Sequence, residues 1–525
     1  MIQTIIYTIL SLLAGRILLS RISYIIAARK AYRATRALPP YNCQRDLTGI
    51  YNFYTMLGAL RNDTAMDVLA EAYAKNGPTF GRPILGRTNV QTMDPENIKT
   101  ILSTKFADFD LGRRHDAFFP TLGDGIFTLD GEGWSHSRAL LRPQFSRAQV
   151  SDVVKLERHV SNLLAAIPRG PGQSCEIQEL LYKMTMDSAT EFLFGESVDS
   201  LVLGNDEKTG ASSIASDGGR RGFAAAFNIA QEYLSKRVIF QSLYWVINNS
   251  EFREANRVVH SFVDFYVAKA LEHYDKKVKE PAATEKQGPE RYVFLDALAE
   301  ETQDPRVLRD QLLNILLAGR DTTAGTLTWA FYELARHPRV LDKLRHEVLD
   351  RFGDRPGAEG KLPMNFETLK GSLYLRYVVN EVLRLYPSVP QNFRIANKDT
   401  VLPRGGGKDR SAPVFIRKGQ GVFYLVYSMH RRPDFFGDDA DEFRPERWGE
   451  GKTWQWEYLP FNGGPRICLG QQYALTEAAY TLARVVQEFD TIETTDVPQA
   501  NGKPLKRALL TMSSAAGVHV SCYKK

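Results

Sequence analysis

The 525-residue chain contains only four cysteines: Cys43, Cys175, Cys468 and Cys522. They lie far apart and form no C-x-x-C pair. That scarcity argues against a disulfide scaffold and a structural zinc site, and it suits a reducing compartment. A strong excess of one charge is also lacking. With 67 basic and 61 acidic residues the net charge is +6, too mild to indicate nucleic-acid binding. It allows a local basic patch for an acidic partner or a membrane surface. There is no repeat period and no long charge block. Hydrophobic residues make up 43% and charged residues 24%, the balance of a packed globular protein rather than a disordered one.

An uninterrupted apolar run of membrane-spanning length is missing as well. Met1 to Gly15 carries no charge and is rich in Ile and Leu, but Arg16 and Arg21 interrupt it before Ile22 to Ala28 continues. A spanning helix wants about 20 apolar residues, so an anchor requires those arginines to be tolerated. A cleaved signal peptide would carry its positive charge ahead of the apolar core. Here Arg29, Lys30, Arg33 and Arg36 follow it, which favours an uncleaved anchor over residues 1–28 with the body on the cytosolic side. The competing reading is an amphipathic helix lying on the membrane. In residues 29–40, a basic segment leads to Leu38-Pro39-Pro40, which should break the helix and form a stiff hinge.

Helical spacing dominates the body. Arg309 to Arg336 reads as a long helix stopped by Pro338, with Leu312, Leu313, Leu316, Leu317 and Ala324 on the apolar pattern. Phe223–Lys236, Phe252–Tyr274 and Tyr377–Leu385 read as further helices. Strand-like pieces are short: Pro83–Gly86, Val90–Thr92, Pro413–Ile416, Val422–Leu425 and Gly517–Cys522. Gly204–Gly222 and Lys276–Pro289 read as exposed loops between helices. The fold class is mainly α with small β-sheets.

The chemistry concentrates in Phe461-Asn462-Gly463-Gly464-Pro465-Arg466-Ile467-Cys468-Leu469-Gly470. Two glycines and a proline force a tight loop, and an apolar helical pattern follows. A cysteine at a helix start sees the positive end of the dipole and free amide donors, both of which favour the thiolate. Taken alone, a buried packing cysteine is the commoner outcome. The whole decapeptide, however, resembles the haem-binding signature of the cytochrome P-450 superfamily, F-x-x-G-x-R-x-C-x-G. It matches at Phe461, Gly464, Arg466, Cys468 and Gly470.

The resemblance continues through the body. Ala318-Gly319-Arg320-Asp321-Thr322-Thr323 resembles the family's oxygen-activation motif, in which Gly319 admits a flat cofactor and Asp321 and Thr322 provide a proton path. A solvated Asp and a Thr capping its own backbone form the alternative. Glu381-Val382-Leu383-Arg384 is similar to the family's E-x-x-R motif, whose third, structural member would be Arg447. Trp134 and Arg138, four apart, match W-x-x-x-R, a haem-propionate pair. Arg394 stands where family members often place another propionate ligand. With Arg466, these arginines would neutralise two carboxylates. His115 and His136 read as surface residues.

The resemblance implies haem b held by Cys468, O2 and an apolar substrate. It also implies electrons from a membrane-bound NADPH–cytochrome P-450 reductase, since only 57 residues follow Cys468, too few for a flavin module. Residues 41–525 would form one haem domain at the endoplasmic reticulum membrane. Segments 125–134, 141–145, 194–198, 318–323 and 389–394 resemble the fungal n-alkane and fatty-acid hydroxylase branch in particular. Terminal hydroxylation of a linear chain is the expected reaction. A fungal secondary-metabolism monooxygenase acting on a non-linear substrate is the alternative. Position alone marks Phe118, Leu316, Val389, Phe393 and Leu510 as pocket candidates, with core packing as the competing reading for each. The family implies no nucleic-acid partner.

Overall fold

A computed structural model describes residues 2–41, 49–84, 86–145, 153–203, 220–279, 293–496 and 503–524. Cys43 and most of the two expected loops lie outside them. The helices that bear on function are α1 (Ile2–Thr35), α2 (Arg114–Leu122), α3 (Gly131–Leu141), α4 (Val153–Ala166), α5 (Ile177–Phe194), α6 (Arg220–Ile239), α7 (Ser250–Lys279), α8 (Pro305–Leu334), α9 (Leu373–Leu385) and α10 (Gln471–Glu488). The strands are β1 (Thr79–Ile84), β2 (Arg87–Thr92), β3 (Phe109–Asp110), β4 (Ser174–Glu176), β5 (Gln391–Ala396), β6 (Thr400–Gly406), β7 (Ala412–Ile416), β8 (Gly421–Leu425), β9 (Thr491–Thr494), β10 (Lys506–Ala508), β11 (Met512–Ser514) and β12 (His519–Tyr523). The class is mainly helical with small sheets, as expected.

The chain forms two compact units that interleave along the sequence. The first takes residues 1–112, 390–440 and 454–467; the second takes 113–389, 441–453 and 468–525. In the first unit, five strands pair in the order β1-β2-β8-β5-β3. β2 and β8 run parallel, Val90 opposite Val422, and Pro83 sits on the edge strand β1, where its missing N–H costs no ladder bond. Val90, Phe109, Val422 and Tyr424 bury one apolar face against Ile98, Ile101 and Leu102.

The N-terminal segment differs from expectation in two ways. Helix α1 does not stop at Ala28. It runs to Thr35, and Ala28 and Ala37 pack with Phe415 in a small core. Nor is the proline segment a hinge: Leu38 N–H donates to the Pro413 carbonyl at 2.8 Å, and Phe415 N–H to the Leu38 carbonyl at 2.9 Å. Backbone bonds fasten it beside β7. Among the described residues no helix is long and apolar enough to cross a membrane; Arg16 and Arg21 divide the apolar residues of α1.

The second unit is built around α8. Asp304 caps it by accepting from Arg306 N–H and Val307 N–H, with Pro305 at the first helical position. Leu308, Leu312, Leu313 and Leu316 enter the apolar core formed with α5, α6 and α7. Rings interleave there: Phe223 stacks on Phe262 with centroids 3.8 Å apart.

Candidate functional site

The loop before Cys468 belongs to the first unit and is stitched shut. Gly464 has φ +67, and a Cβ there would stand 1.9 Å from the Leu102 carbonyl oxygen. Only glycine fits such an approach. Asn462 also takes positive φ. Its side chain accepts from Tyr424 Oη at 3.1 Å and donates to the Arg466 carbonyl at 3.2 Å. Arg466 lies over the Phe106 ring at 6.0 Å, and Phe461 is half-buried. In the same unit Arg394 is 3% exposed. It donates to the Phe393 carbonyl at 2.7 Å, while its Nε has no hydrogen-bond partner.

Cys468 belongs to the second unit. Helix α10 begins three residues later, with Gly470 at the cap. Cys468 is exposed as a residue, yet its thiol is closely surrounded by protein. Burial raises its thiol pKa, against the Gly470 backbone N–H and the Arg138 charge, which lower it. The Gly470 N–H is a pull of the kind expected at the helix start, and burial opposes it. Coordination to a metal reverses that balance, because a coordinating thiol is deprotonated. Arg138 is half-buried on α3, its guanidinium 5.9 Å from the Trp134 ring.

Helix α8 is buried along most of its length but becomes partly accessible at Leu317, Ala318, Gly319, Asp321 and Thr322. Nothing lies within 4 Å of where a Cβ on Gly319 would stand. Thr322 Oγ1 donates to the Ala318 carbonyl at 2.8 Å, the local bond that the capping alternative foresees. Asp321 has its pKa raised by burial, opposed by the charge of Arg320 and a hydrogen bond with Gln231. Its Oδ1 accepts no hydrogen bond.

Glu381, Arg384 and Arg447 come together with side chains 0–2% exposed. Arg384 grips both Glu381 oxygens, at 2.9 and 2.8 Å. Arg447 Nε donates to Oε1 at 2.8 Å, Trp448 Nε1 to Oε2 at 3.0 Å, and Arg444 N–H to Oε1 at 3.0 Å. Every acceptor site of the carboxylate is engaged by donors from α9 or residues 444–448.

The pocket candidates scatter. Phe118 and Leu316 are sealed in the helical core and Leu510 packs at its margin. Val389 is exposed, and in the first unit Phe393 stacks on Phe423 at 5.2 Å. Phe118 and Leu316 are buried, whereas neighbouring Leu317 is partly accessible. His136 is exposed, and His115 pairs with Asp124 at 2.8 Å on the surface.

Several residues escaped the sequence reading. Asp310, Gln311 and Asn314 hold the segment ahead of α3 to α8. Asp310 accepts from Asp124 N–H at 2.9 Å, Asn314 accepts from Phe127 N–H at 3.1 Å, and Gln311 donates to Ser137 at 3.0 Å. Their signal was three polar residues within five positions of an apolar helix. Glu477, on α10, is 2% exposed, and its Oε1 lacks a partner. Burial pushes its pKa up to about 7, against Ser188, His159 and Thr323, which lower it. The unfolded carboxyl, with a pKa of 4.5, ionises before the folded one. Stability is therefore lost as pH rises from 4.5 through about 7. The rise corresponds to about 3 kcal/mol. Glu477→Gln should therefore melt a few degrees above wild type at pH 8 and converge with it toward pH 5. An offset independent of pH contradicts this account.

Comparison with known proteins supplies the family. The family model described as Cytochrome P450 matches residues 46–518. The chain belongs to the cytochrome P-450 family. It is 51% identical to "Cytochrome P450 52A12" of Debaryomyces hansenii over 481 residues, 90% of each chain. It is 49% identical to "Cytochrome P450 52A5" of Candida maltosa over 508 residues, 95% of this chain and 93% of the relative. It is 49% identical to "Cytochrome P450 52A1" of Candida tropicalis over 471 residues, 88% and 84%. As a cytochrome P-450 it is a haem-thiolate monooxygenase, an oxidoreductase that uses haem b with an axial cysteine thiolate, O2 and a redox partner.

The residues present fit that group. Within the second unit, Gly319 leaves open space beside α8 and Cys468 is an exposed residue; within the first, buried Arg394 has a donor that lacks an acceptor.

Proposed function

We propose that this P-450 hydroxylates a linear aliphatic chain, an n-alkane or a fatty acid, at or near its end. The observation that carries the reading is the partly accessible stretch of α8, where apolar Leu317 and Ala318 adjoin Asp321 and Thr322 between buried stretches of the helix. A greasy surface lies beside a group able to hold a proton. The likeness of five segments to the fungal hydroxylase branch selects linear chains over other apolar substrates.

Cys468 would ligate the haem iron, Trp134, Arg138, Arg394 and Arg466 would bind its carboxylates, and Gly319 and Phe461 would help to hold it. When bound, the haem supplies oxygen activation and C–H cleavage. The chain's own residues do the rest. Arginine forks neutralise carboxylates, Asp321 and Thr322 hold and pass protons, and apolar side chains exclude water and hold the substrate. A primary C–H bond is stronger than its secondary neighbours, so terminal attack demands end-on positioning. Matched alkane and fatty-acid substrates test this by product analysis. Terminal alcohols are expected. Hydroxylation only at inner carbons, or turnover only of a polycyclic or aromatic compound, overturns the substrate reading.

Electrons would come from NADPH–cytochrome P-450 reductase, and the enzyme would sit at the endoplasmic reticulum membrane with its body, residues 41–525, in the cytosol. The basic residues after Ala28 support this orientation, as do exposed Leu18, Leu19, Ile22, Ile25 and Ile26 on α1. In the second unit, exposed Leu243, Trp245 and Val246 offer a separate lipid contact. A protein lacking residues 1–36 should still pellet partly with membranes. A fully soluble monomer would remove that second contact, and a mature N-terminus after Ala28 would remove the anchor.

A further inference from the structure

Arg320 has no role in the reading above, yet it occupies an unusual place. It lies mid-way along α8, beside Asp321, and is only 5% exposed. A guanidinium cannot shed its proton in a protein, so its charge must be met where it stands. Asp321 Oδ1 lies 3.5 Å from Arg320 Nη1. Gln231 Oε1, on α6, accepts from the same Nη1 at 3.3 Å. The rings of Tyr182 on α5 and Phe227 on α6 face the guanidinium at 5.3 and 6.0 Å. Arg320 Nε has no hydrogen-bond partner, and Asp321 Oδ1 accepts no hydrogen bond. Side chains at i and i+1 ordinarily diverge on a helix. Here both turn toward one space, and they approach as charges without closing a full hydrogen bond.

That arrangement suits a carboxyl that must change state. Burial alone would keep Asp321 protonated. A carboxyl that passes protons must release one and then regain it. On release, the proton leaves toward the accessible side of α8, the negative charge stays on Asp321, and a proton from bulk water later restores the acid. Among the described residues, Arg320 is the cation within ion-pair distance of that negative charge. The other groups facing the pair are Gln231 from α6 and Tyr182 from α5, with Arg507 of β10 and Ser513 of β11 acting on Tyr182. We propose that Arg320 is the positioning residue that holds the ionised Asp321 carboxylate, with Gln231 of α6 fixing where the guanidinium sits. The proposal rests on the assignment of proton delivery to Asp321.

The test uses the full-length haem enzyme with reductase, NADPH and whichever linear substrate wild type accepts. Arg320→Gln, Arg320→Lys and Asp321→Asn are compared by haem content, product per NADPH, the pH profile and the solvent deuterium isotope effect. Arg320→Gln should keep its haem and its substrate-induced spectral shift. Its coupling should fall about tenfold, its isotope effect should rise, and the acid limb of its profile should move to higher pH. Arg320→Lys should lie between. If Arg320→Gln matches wild type in all three functional readouts while Asp321→Asn is impaired, the inference about Arg320 fails alone. If Asp321→Asn also matches wild type, the underlying assignment fails first. Should Arg320→Gln bind no haem, Arg320→Lys decides, because a flexible ammonium lacks the rigid fork of the guanidinium and should raise the isotope effect; an unchanged value overturns the proposal.

Discussion

Replacing Glu381 by Ala should prevent accumulation of folded haem protein. The substitution strands Arg384 and Arg447, 0% and 2% exposed, without their shared carboxylate. Breaking a buried ion pair from one side costs about 3–5 kcal/mol, against a total stability of about 5–15 kcal/mol for a folded domain. Arg447→Ala should be milder, since Glu381 would keep Arg384, Trp448 Nε1 and Arg444 N–H. Lys343→Ala is the control. It breaks a pair to Glu446 whose members are 58% and 38% exposed, a class of contact contributing about 0–1 kcal/mol. The yield of folded haem protein checks the order, with unfolding midpoints in denaturant for the variants that accumulate. Equal losses for Glu381→Ala and Lys343→Ala would refute the assignment of fold stability to the buried triad.

Thr322→Ala should leave haem binding intact and divert electrons from product to hydrogen peroxide. Positioned acid–base groups contribute about 10²–10⁴-fold. Water can replace part of a hydroxyl's role, so coupling of product to NADPH should fall at least about tenfold. Thr322→Ser should retain most of it. The competing account starts from the bond between Thr322 Oγ1 and the Ala318 carbonyl at 2.8 Å. On that account the hydroxyl serves only the helix, and its removal changes stability by less than about 1 kcal/mol with coupling unchanged. Measuring NADPH consumed, peroxide released and alcohol formed in one reaction separates the two.

These predictions draw on features of uneven legibility. The decapeptide was plain in the sequence because glycine, proline and cysteine act locally. Gly464 needs a positive φ and an absent side chain wherever the rest of the chain goes. Long helices were plain through their period, and Glu381 and Arg384 through their spacing. Boundaries were less so. Helix α8 begins at Pro305 rather than Arg309, although Asp304-Pro305 carries a cap signature; α9 begins at Leu373, four residues before Tyr377. What could not be read depends on distant partners. Nothing local in Val90 foretells Val422 as a parallel neighbour. Nothing in Arg320 foretells Gln231, and nothing in Glu477 foretells Ser188 and His159. What the pocket candidates meet was not legible for a related reason. Apolar character selects residues that are buried but does not say whether they meet core or cavity, and Leu316 and Leu317 differ only in which way their side chains turn.

The central claim is that Cys468 supplies the axial thiolate, and the absorption spectrum of the reduced, carbon-monoxide-bound protein tests it most directly. The full chain should show the red-shifted Soret band of thiolate-ligated haem, and Cys468→Ser should lose both the band and turnover. A Cys468→Ser protein that keeps the band and hydroxylates normally would contradict the account.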